Sequence, residues 1–244
     1  MAGFGSRFAK AGYKLPKYRI EVFGRPLFDW SLMSLSAFQQ AGWTFSFAVR
    51  AEDDARHFIE ERCHALGLPI GHFLNLDSPT DGQATTGRLL AEMAAPDQPF
   101  AIFNIDTFVR PGSMAPQAIS SDCGGWVPCF PGEGDKWSFV RVNESGVAVE
   151  LREKVRISPH ATVGFYWFKS AELYLRAYRR FFAQGGEEMG ERYVAPMYNQ
   201  LIADGQIVRL QMLEVGDVGQ LGTPEQVADF ERMPPPAAVP YIAS

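Results

Sequence analysis

Short apolar runs that alternate with helical segments constrain the fold of this 244-residue chain more than any other feature. The pattern predicts strands at 44–49, 71–76 and 100–103, separated by helices at 52–67 and 83–95. Strands and helices in this order are typical of a mainly parallel sheet with helices packed against it. Because the run at 100–103 is almost wholly apolar, we expect that strand to be covered on both faces.

The pattern changes after residue 120, where closely spaced apolar runs predict antiparallel strands. Asn143-Glu-Ser-Gly146 predicts a hairpin turn between two of them. The later elements are predicted at 125–130, 137–142, 147–151 and 161–168 (strands), 171–184 and 194–203 (helices), 207–213 (strand) and from Thr223 onward (helix). The chain is therefore predicted to be an α/β protein with a mixed, mainly parallel central sheet.

A single domain at 1–233 is favoured, because the sequence shows neither an internal repeat nor a second core pattern. The Pro-rich tail at 234–244 is predicted to be extended and loosely held. Four aromatic side chains fit either a core or the interface of a homodimer, and the sequence leaves both open for Trp167, Tyr174, Tyr178 and Phe181.

Composition excludes several classes of partner. A net charge of −5 argues against nucleic acid as the main partner. No apolar run is long enough for a membrane span, and no signal peptide is evident, so no membrane partner is expected. The three cysteines form no metal-binding spacing and are odd in number, which favours a reduced protein in the cytoplasm.

A glycine-rich turn opens the sequence as Gly3-Phe-Gly5-Ser6-Arg7, and Lys17 follows within a dozen residues. Alternate glycines allow backbone N–H groups to approach a phosphate, and the two cations would balance its charge. Alone, the motif indicates only a tight turn. It is neither the dinucleotide fingerprint nor a Walker loop, since Phe8 takes the place of the third glycine and no Gly-Lys-Ser/Thr follows.

Two isolated carboxylates follow predicted strands. Asp106 comes soon after the strand at 100–103, and Asp217 lies between glycines after the strand at 207–213. Ligands of open α/β sheets bind at the carboxyl ends of strands, and Mg²⁺ takes one or two carboxylates together with substrate phosphates. A turn or a helix cap explains each aspartate equally well, and both interpretations stay open.

Polar residues at 81–84 begin the second helix as Asp81-Gly82-Gln83-Ala84. A helix N-cap accounts for Asp81 and Gly82, but it does not explain Gln83. The side-chain amide of Gln83 has the donor and acceptor groups needed to bind the edge of a base. Further along, Glu153-Lys154 is by itself typical of a solvated surface pair.

Five motifs occur in one order along the chain, and they are Gly3-x-Gly5-Ser6-Arg7-Phe8, Pro16-Lys17, Asp106 after a strand, Glu153-Lys154 before Ala161-x-Val163-Gly164-x-Tyr166, and Asp217 before Gly222-Thr223-Pro224-Glu225. From residue 1 to about 225 the set resembles the nucleotidyltransferases that make nucleotide sugars. Gly12-Tyr13, Trp30-Ser31-Leu32 and the run at 81–85 are most similar to the capsule-locus branch, which includes cytidylyltransferases for choline phosphate or phosphoglutamine.

The resemblance implies a Rossmann-like α/β/α fold of the GT-A-like type. Such enzymes carry an apolar strand before the glycine loop, and this sequence begins at the loop. We therefore expect that the first strand is missing because the start was assigned late or the sequence was truncated. The residue that follows Glu153-Lys154 in the family is often proline, whereas Val155 stands here, so no sugar specificity is carried over.

The resemblance also implies a role for each matched residue. Gly3, Gly5, Ser6 and Arg7 would wrap the triphosphate, and Lys17 would neutralise the α-phosphate, which makes Arg7 and Lys17 the catalytic cations. The nucleotide base would contact Asp81, Gly82, Gln83 and Ala84. Glu153 and Lys154 would bind the phosphate of the acceptor, and Asp106 and Asp217 would hold Mg²⁺.

The implied reaction transfers CMP from CTP to a phosphorylated small molecule for surface polysaccharide synthesis. Uridylyl or thymidylyl transfer to a sugar 1-phosphate is the alternative within the enzyme class. Glycosyl transfer is less favoured, because those enzymes usually have a second aspartate where Asn104 stands here. A non-catalytic nucleotide-binding domain is the alternative outside it.

Overall fold

The computed structural model describes residues 6–188 and 190–242, without the side chain of Ser6. The predicted glycine turn at Gly3 and Gly5 lies outside this part of the chain. Two compact units are formed, each from separate stretches of sequence. Within the described residues, unit 1 contains 6–78, 104–116 and 214–242, and unit 2 contains 79–103 and 117–213.

The described helices are α1 Ser6–Lys10, α2 Leu27–Met33, α3 Ser36–Gln40, α4 Arg56–Leu66, α5 Gln83–Ala91, α6 Ala171–Ala183, α7 Tyr198–Ala203 and α8 Pro224–Arg232. Short 3₁₀ turns lie at Lys17–Arg19, Ala51–Asp53, Pro116–Ala118, Ala195–Met197, Val215–Asp217 and Val239–Tyr241.

The described strands are β1 Glu21–Val22, β2 Arg25–Pro26, β3 Phe45–Arg50, β4 Ile70–Leu76, β5 Phe100–Phe103, β6 Thr107–Val109, β7 Cys123–Pro131, β8 Ser138–Val142, β9 Ala148–Glu153, β10 His160–Thr162, β11 Phe165–Phe168, β12 Ile207–Met212 and β13 Val218–Gln220.

Unit 1 contains three two-stranded pairings. Strands β3 and β4 are parallel, whereas β1 pairs with β2 and β6 pairs with β13 in antiparallel fashion. Helix α2 packs most of its length into the core, and the indole Nε1 of Trp30 donates a 3.0 Å hydrogen bond to the Val22 carbonyl. The short β6–β13 ladder carries the two predicted aspartates at its ends.

Unit 2 is built on a seven-stranded sheet in the order β5-β11-β7-β10-β8-β9, with β12 paired to β7. Helices α5, α6 and α7 cover one face of it, and the apolar core between them includes Tyr174, Tyr178 and Tyr198. Of the aromatic side chains that fitted a core or an interface, Tyr174 and Tyr178 therefore belong to the core.

The α/β class with a mixed central sheet is confirmed, but the expected balance of strand directions is corrected. Only β7–β12 is a parallel pair in the described sheet of unit 2; its other pairs are antiparallel. The physical reason is connection length. Strands β8 and β9 are joined by the predicted turn, in which the Gly146 N–H bonds the Asn143 carbonyl at 3.0 Å, and so short a connection reverses the chain.

Other boundaries also differ from the prediction. The predicted strand at 161–168 is divided into β10 and β11, because Gly164 adopts φ +77° between them. Strand β5 is half-buried instead of covered on both faces, and it lies at one end of the strand order that the structure describes. The acidic residues at 52–54 do not begin α4; Glu52 and Asp53 lie in a separate 3₁₀ turn, paired with Arg50.

The Pro-rich tail is packed where the structure describes it. Ala237 and Ala238 are buried with Phe230 in a cluster of unit 1, and the Ala237 N–H donates to the Gly216 carbonyl at 3.1 Å. The tail is therefore held over its described residues, in contrast to the extended, loose segment predicted.

All three cysteines are free thiols and are buried, Cys63 in unit 1 and Cys123 and Cys129 in unit 2. Burial raises the pKa of Cys63 to about 12 and also raises the pKa values of the other two. Among the described residues, no helix is both long enough and apolar enough to span a membrane.

Candidate functional site

In unit 1, Lys17 and Asp106 are brought together. Pro16 precedes a 3₁₀ turn that begins at Lys17, and Asp106 directly precedes β6. The Lys17 ammonium donates a 2.9 Å hydrogen bond to Asp106 Oδ2, and the two side chains are 19% and 31% exposed. A cation and a carboxylate that solvent still reaches at a strand end can exchange partners with an incoming phosphate or metal ion.

Asp217 lies at the other end of the same ladder. The Leu221 N–H donates to the Asp106 carbonyl and the Arg110 N–H donates to the Asp217 carbonyl, so the register places Asp217 opposite Arg110, four residue steps from Asp106 along β6. At about 3.3 Å per residue, this separates their backbones by roughly 13 Å.

One magnesium ion cannot span that separation. Its ligand oxygens lie about 2.1 Å from the metal, and an aspartate side chain reaches only a few ångströms from its backbone. Asp217 is instead paired with Arg110 at 2.8 Å. The prediction that Asp106 and Asp217 hold one ion together is thus corrected, because the register of β6 against β13 places the two residues at opposite ends of the ladder.

Asp106 alone still fits a magnesium ion. Mg²⁺ is commonly held by a single carboxylate when substrate phosphates complete its octahedron. Asp106 is partly exposed and is adjacent to a cation that would face the same phosphates. The described residues contain no group of three or more metal-ligating side chains.

Arg7, the other predicted cation, lies in the short helix α1 and is exposed. Ser6 begins this helix. The structure describes no contact between Arg7 and Lys17 or Asp106, and the role of Arg7 stays a prediction.

In unit 2, the predicted base-reading residues lie in a tightly bonded stretch at 80–86, which joins a loop to the first turn of α5 and is called the loop at 80–86 below. Gly82 has φ +145° and ψ 174°, a backbone conformation that is essentially restricted to glycine. A Cβ at this position would lie 2.5 Å from the carbonyl oxygen of Arg192. The Gly82 carbonyl accepts hydrogen bonds from Thr80 Oγ1 at 2.9 Å and from the Thr86 N–H at 3.2 Å.

Two of the predicted nucleotide contacts already have partners within the protein. The Ala84 N–H donates to the Arg192 carbonyl at 2.9 Å, and the fully buried Ala84 accepts the Tyr174 hydroxyl through its own carbonyl. The carboxylate of Asp81 bonds Thr85 Oγ1 and Arg192 Nε. These residues shape the loop, and Gln83 at the first turn of α5 remains the predicted base contact.

Lys154 follows β9 in a strained backbone conformation, with φ +52°. Its ammonium donates a 2.9 Å hydrogen bond to the Tyr193 hydroxyl and lies 3.7 Å from Glu153 Oε1. Burial opposes the charged form, but Tyr193 and Glu153 outweigh it and raise the pKa of Lys154. The lysine is therefore held as a cation near neutral pH, as binding of a phosphate requires.

Glu153, the neighbour of Lys154, is deeply buried, and burial raises its pKa against the opposing effects of Ser138 and Lys154. Ser138 Oγ bonds its carboxylate and also lies 3.1 Å from the Tyr166 hydroxyl, which is 3.0 Å from Thr162 Oγ1. Glu153 is thus anchored from within the sheet, and its position supports the charge of Lys154.

Arg192 and Tyr193 were missed by the sequence analysis. Arg192 contacts the loop at 80–86, and Tyr193 contacts Lys154. Neither belongs to a recognisable motif, because the residues that they contact are far away in sequence. The only signal available was an arginine and a tyrosine side by side before a helical segment.

Several solved structures resemble this fold. A nucleoside-diphosphate-sugar pyrophosphorylase from Vibrio cholerae RC9 is 36% identical, with a TM-score of 0.87 over 96% of this chain and 98% of that one. The inositol-1-phosphate CTP transferase from T. maritima is 17% identical, with a TM-score of 0.72 over 92% and 88%. The CTP:phosphocholine cytidylyltransferase from Streptococcus pneumoniae is 14% identical, with a TM-score of 0.70 over 95% of each chain.

No protein-family model matches the sequence, and a search of curated proteins gives no significant match. The two more distant structures show that the fold is shared. The identity to the Vibrio cholerae protein extends over nearly the full length of both chains, and it decides the class. The chain belongs to the nucleotidyltransferase family, and the fold predicted from the five motifs is confirmed.

Proposed function

We propose that this nucleotidyltransferase moves a CMP group from CTP to the phosphate of a small molecule, with release of pyrophosphate. An oxygen of the acceptor phosphate attacks the α-phosphorus of the nucleotide, and the bond from the α-phosphorus to the bridging oxygen of the β-phosphate breaks. The oxygen leaves with pyrophosphate, and no covalent intermediate with the protein is required.

The observation that carries the proposal is the pair formed by Lys17 and Asp106. An ammonium in this position would stabilise negative charge that builds up on the α-phosphate during attack. Asp106 would hold Mg²⁺ together with the nucleotide phosphates, and the bound ion would neutralise charge on the triphosphate. Lys154, which is kept protonated by its neighbours, would bind and orient the acceptor phosphate.

The choice of CTP is supported by two of the similar structures, whose names state CTP as a substrate. The alternative, uridylyl or thymidylyl transfer to a sugar 1-phosphate, is supported by the Vibrio cholerae protein, which is named as a nucleoside-diphosphate-sugar pyrophosphorylase. A cytoplasmic reaction that supplies capsular or surface polysaccharide synthesis rests on the resemblance to the capsule-locus branch.

The test is a pyrophosphate-release screen with Mg²⁺, in which CTP, UTP, dTTP and ATP are each combined with phosphocholine, phosphoglutamine, inositol 1-phosphate and glucose 1-phosphate. We expect release with CTP and one non-sugar acceptor. Release with UTP or dTTP and glucose 1-phosphate would select the alternative. CTP binding without pyrophosphate from any pair would overturn the enzymatic proposal in favour of a non-catalytic nucleotide-binding domain.

Lys17→Met should reduce turnover by about 100-fold or more, because it removes a charge that acts in the transition state. Lys169→Met is the matched control, since Lys169 is an exposed lysine outside the proposed site. Equal activities of the two variants would contradict the role of Lys17.

A further inference from the structure

One short segment of unit 2 contacts both groups of residues that are proposed to bind substrates. This bridging segment consists of residues 187–193, of which all but 189 are described. Glu188 and Glu191 exchange hydrogen bonds in both directions, with N–H to carbonyl distances of 3.1 and 3.0 Å. Glu188 and Glu191 are therefore tied to each other within the segment.

At one end, Arg192 holds the loop at 80–86. Its N–H donates to the Asp81 carbonyl at 2.9 Å, and its carbonyl accepts the Ala84 N–H at 2.9 Å. Its guanidinium lies 3.2 Å from Asp81 Oδ2, 3.1 Å from Glu187 Oε1 and 2.8 Å from the Tyr178 hydroxyl. Two backbone hydrogen bonds and the close approach of Gly82 to the Arg192 backbone thus hold the loop against Arg192.

The same segment also holds the two residues proposed to bind the acceptor, Glu153 and Lys154. Tyr193, the next residue after Arg192, accepts the hydrogen bond from Lys154 Nζ. Glu188 accepts the Glu153 N–H at 3.1 Å through Oε2, and it accepts Arg152 Nε at 3.3 Å through Oε1. The bridging segment thus contacts both the Glu153 backbone and the Lys154 ammonium, the groups next to the proposed acceptor phosphate.

We propose that Arg192 and Tyr193 are positioning residues that couple recognition of the nucleotide base to binding of the acceptor phosphate. When the base orders the loop at 80–86, Arg192 is fixed, and Tyr193 in turn fixes the Lys154 ammonium where the acceptor phosphate arrives. This inference rests on the proposed function, because it takes the loop and Lys154 as the two binding sites.

The kinetic test exploits the fact that each residue contacts only one of the two sites. Arg192→Ala should raise the KM for the acceptor as well as for the nucleotide, and Tyr193→Phe should raise the KM for the nucleotide as well as for the acceptor. We expect each cross-effect to be about fivefold or larger. The variants should leave kcat less affected than KM, and Arg192→Lys should restore the acceptor KM only in part, since a compact ammonium does not reproduce the planar guanidinium that reaches Asp81, Glu187 and Tyr178.

A purely local role predicts the opposite pattern. If Arg192→Ala changes only the nucleotide KM and Tyr193→Phe changes only the acceptor KM, the coupling does not exist. Arg209→Ala is the matched control, because Arg209 forms an exposed ion pair with Asp122 elsewhere in unit 2 and should change neither constant.

Hydrogen exchange on the unliganded protein tests the coupling without any activity. Arg192→Ala should accelerate exchange of the Glu153 amide, which is bonded to Glu188, in addition to the Ala84 amide. Tyr193→Phe should accelerate exchange of the Ala84 amide, with the amides of β11 as the internal reference for overall stability. Unchanged exchange at the far site in both variants would overturn the inference, even if the substrate screen had already rejected the proposed reaction.

Discussion

Lys17 and Asp106 are 89 positions apart in sequence, yet the Lys17 ammonium lies 2.9 Å from Asp106 Oδ2. A partly exposed pair of this kind contributes only about 0–1 kcal/mol to folding. Its position, at the start of a strand and beside a 3₁₀ turn, is better explained by a substrate than by stability. Asp217 does not share this contact with Lys17, although the sequence predicted the same metal-binding role for both aspartates. Substitution of each aspartate therefore tests the two roles separately.

Asp106→Asn should reduce pyrophosphate release by about 100-fold or more, because it removes the carboxylate that faces Lys17 and the proposed metal ion. Asp217→Asn should retain activity within about threefold, since Asp217 is paired with Arg110 at the far end of the ladder. Steady-state rates over a range of Mg²⁺ concentrations measure both. Equal losses in the two variants would show that the second aspartate takes part after all.

Glu153 predicts a dependence of stability on pH. Its pKa is raised in the folded protein, so its contribution to stability is fully present below the unfolded value near 4.5 and is lost as pH rises through the folded value. Glu153→Gln removes this titration and keeps a hydrogen-bonding group beside Ser138. Urea unfolding from pH 4.5 to 8 should show a smaller decline in the variant. A decline of the same size would assign the effect to another group.

The ion pair between Asp29 and Arg62 predicts a large effect on stability in unit 1. Asp29 is fully buried and binds Arg62 through both carboxylate oxygens. Arg62→Met leaves that charge unpaired and should lower the free energy of unfolding by about 3–5 kcal/mol. Arg56→Met, which breaks an exposed pair with Glu60 on the same helix, should cost less than about 1 kcal/mol. Similar midpoints in urea for both variants would contradict this prediction.

Gly82 and Gly146 allow backbone strain to be separated from a steric clash. Both have positive φ, but a Cβ at Gly146 meets nothing within 4 Å, whereas one at Gly82 meets the Arg192 backbone at 2.5 Å. Gly146→Ala should cost about 1 kcal/mol. Gly82→Ala should cost more, about 2–4 kcal/mol, and should raise the KM for the nucleotide, because the loop must be displaced. A Gly82 variant with an unchanged KM would exclude the loop from nucleotide binding.

Local signals in the sequence predicted much of the fold. Thr223 caps α8 and Gly67 ends α4 with φ +67°, as predicted, because both effects act within one helical turn. The position of β5 at one end of the described strand order depends on which strands become neighbours, and a periodic pattern does not contain that information. The division of the predicted strand depends on the left-handed conformation of Gly164, which an apolar run does not reveal.

The residues of the candidate site were also predictable only in part. Lys17, Asp106 and Lys154 stand in motifs, so a resemblance was able to select them. The prediction that Asp217 and Asp106 hold one metal ion was wrong, because only the register of β6 against β13 reveals their separation. Tyr193 lies 39 positions from Lys154 and was found only when the fold brought them into contact.

The buried thiols report separately on the opening of each unit. A thiol reagent needs a thiolate and physical access, and burial withholds both from Cys63, Cys123 and Cys129 in the folded chain. Modification of Cys63 would therefore record openings of unit 1, and modification of the other two would record openings of unit 2. Mass spectrometry of a single labelled sample could then time the two events separately, with no probe introduced into the protein.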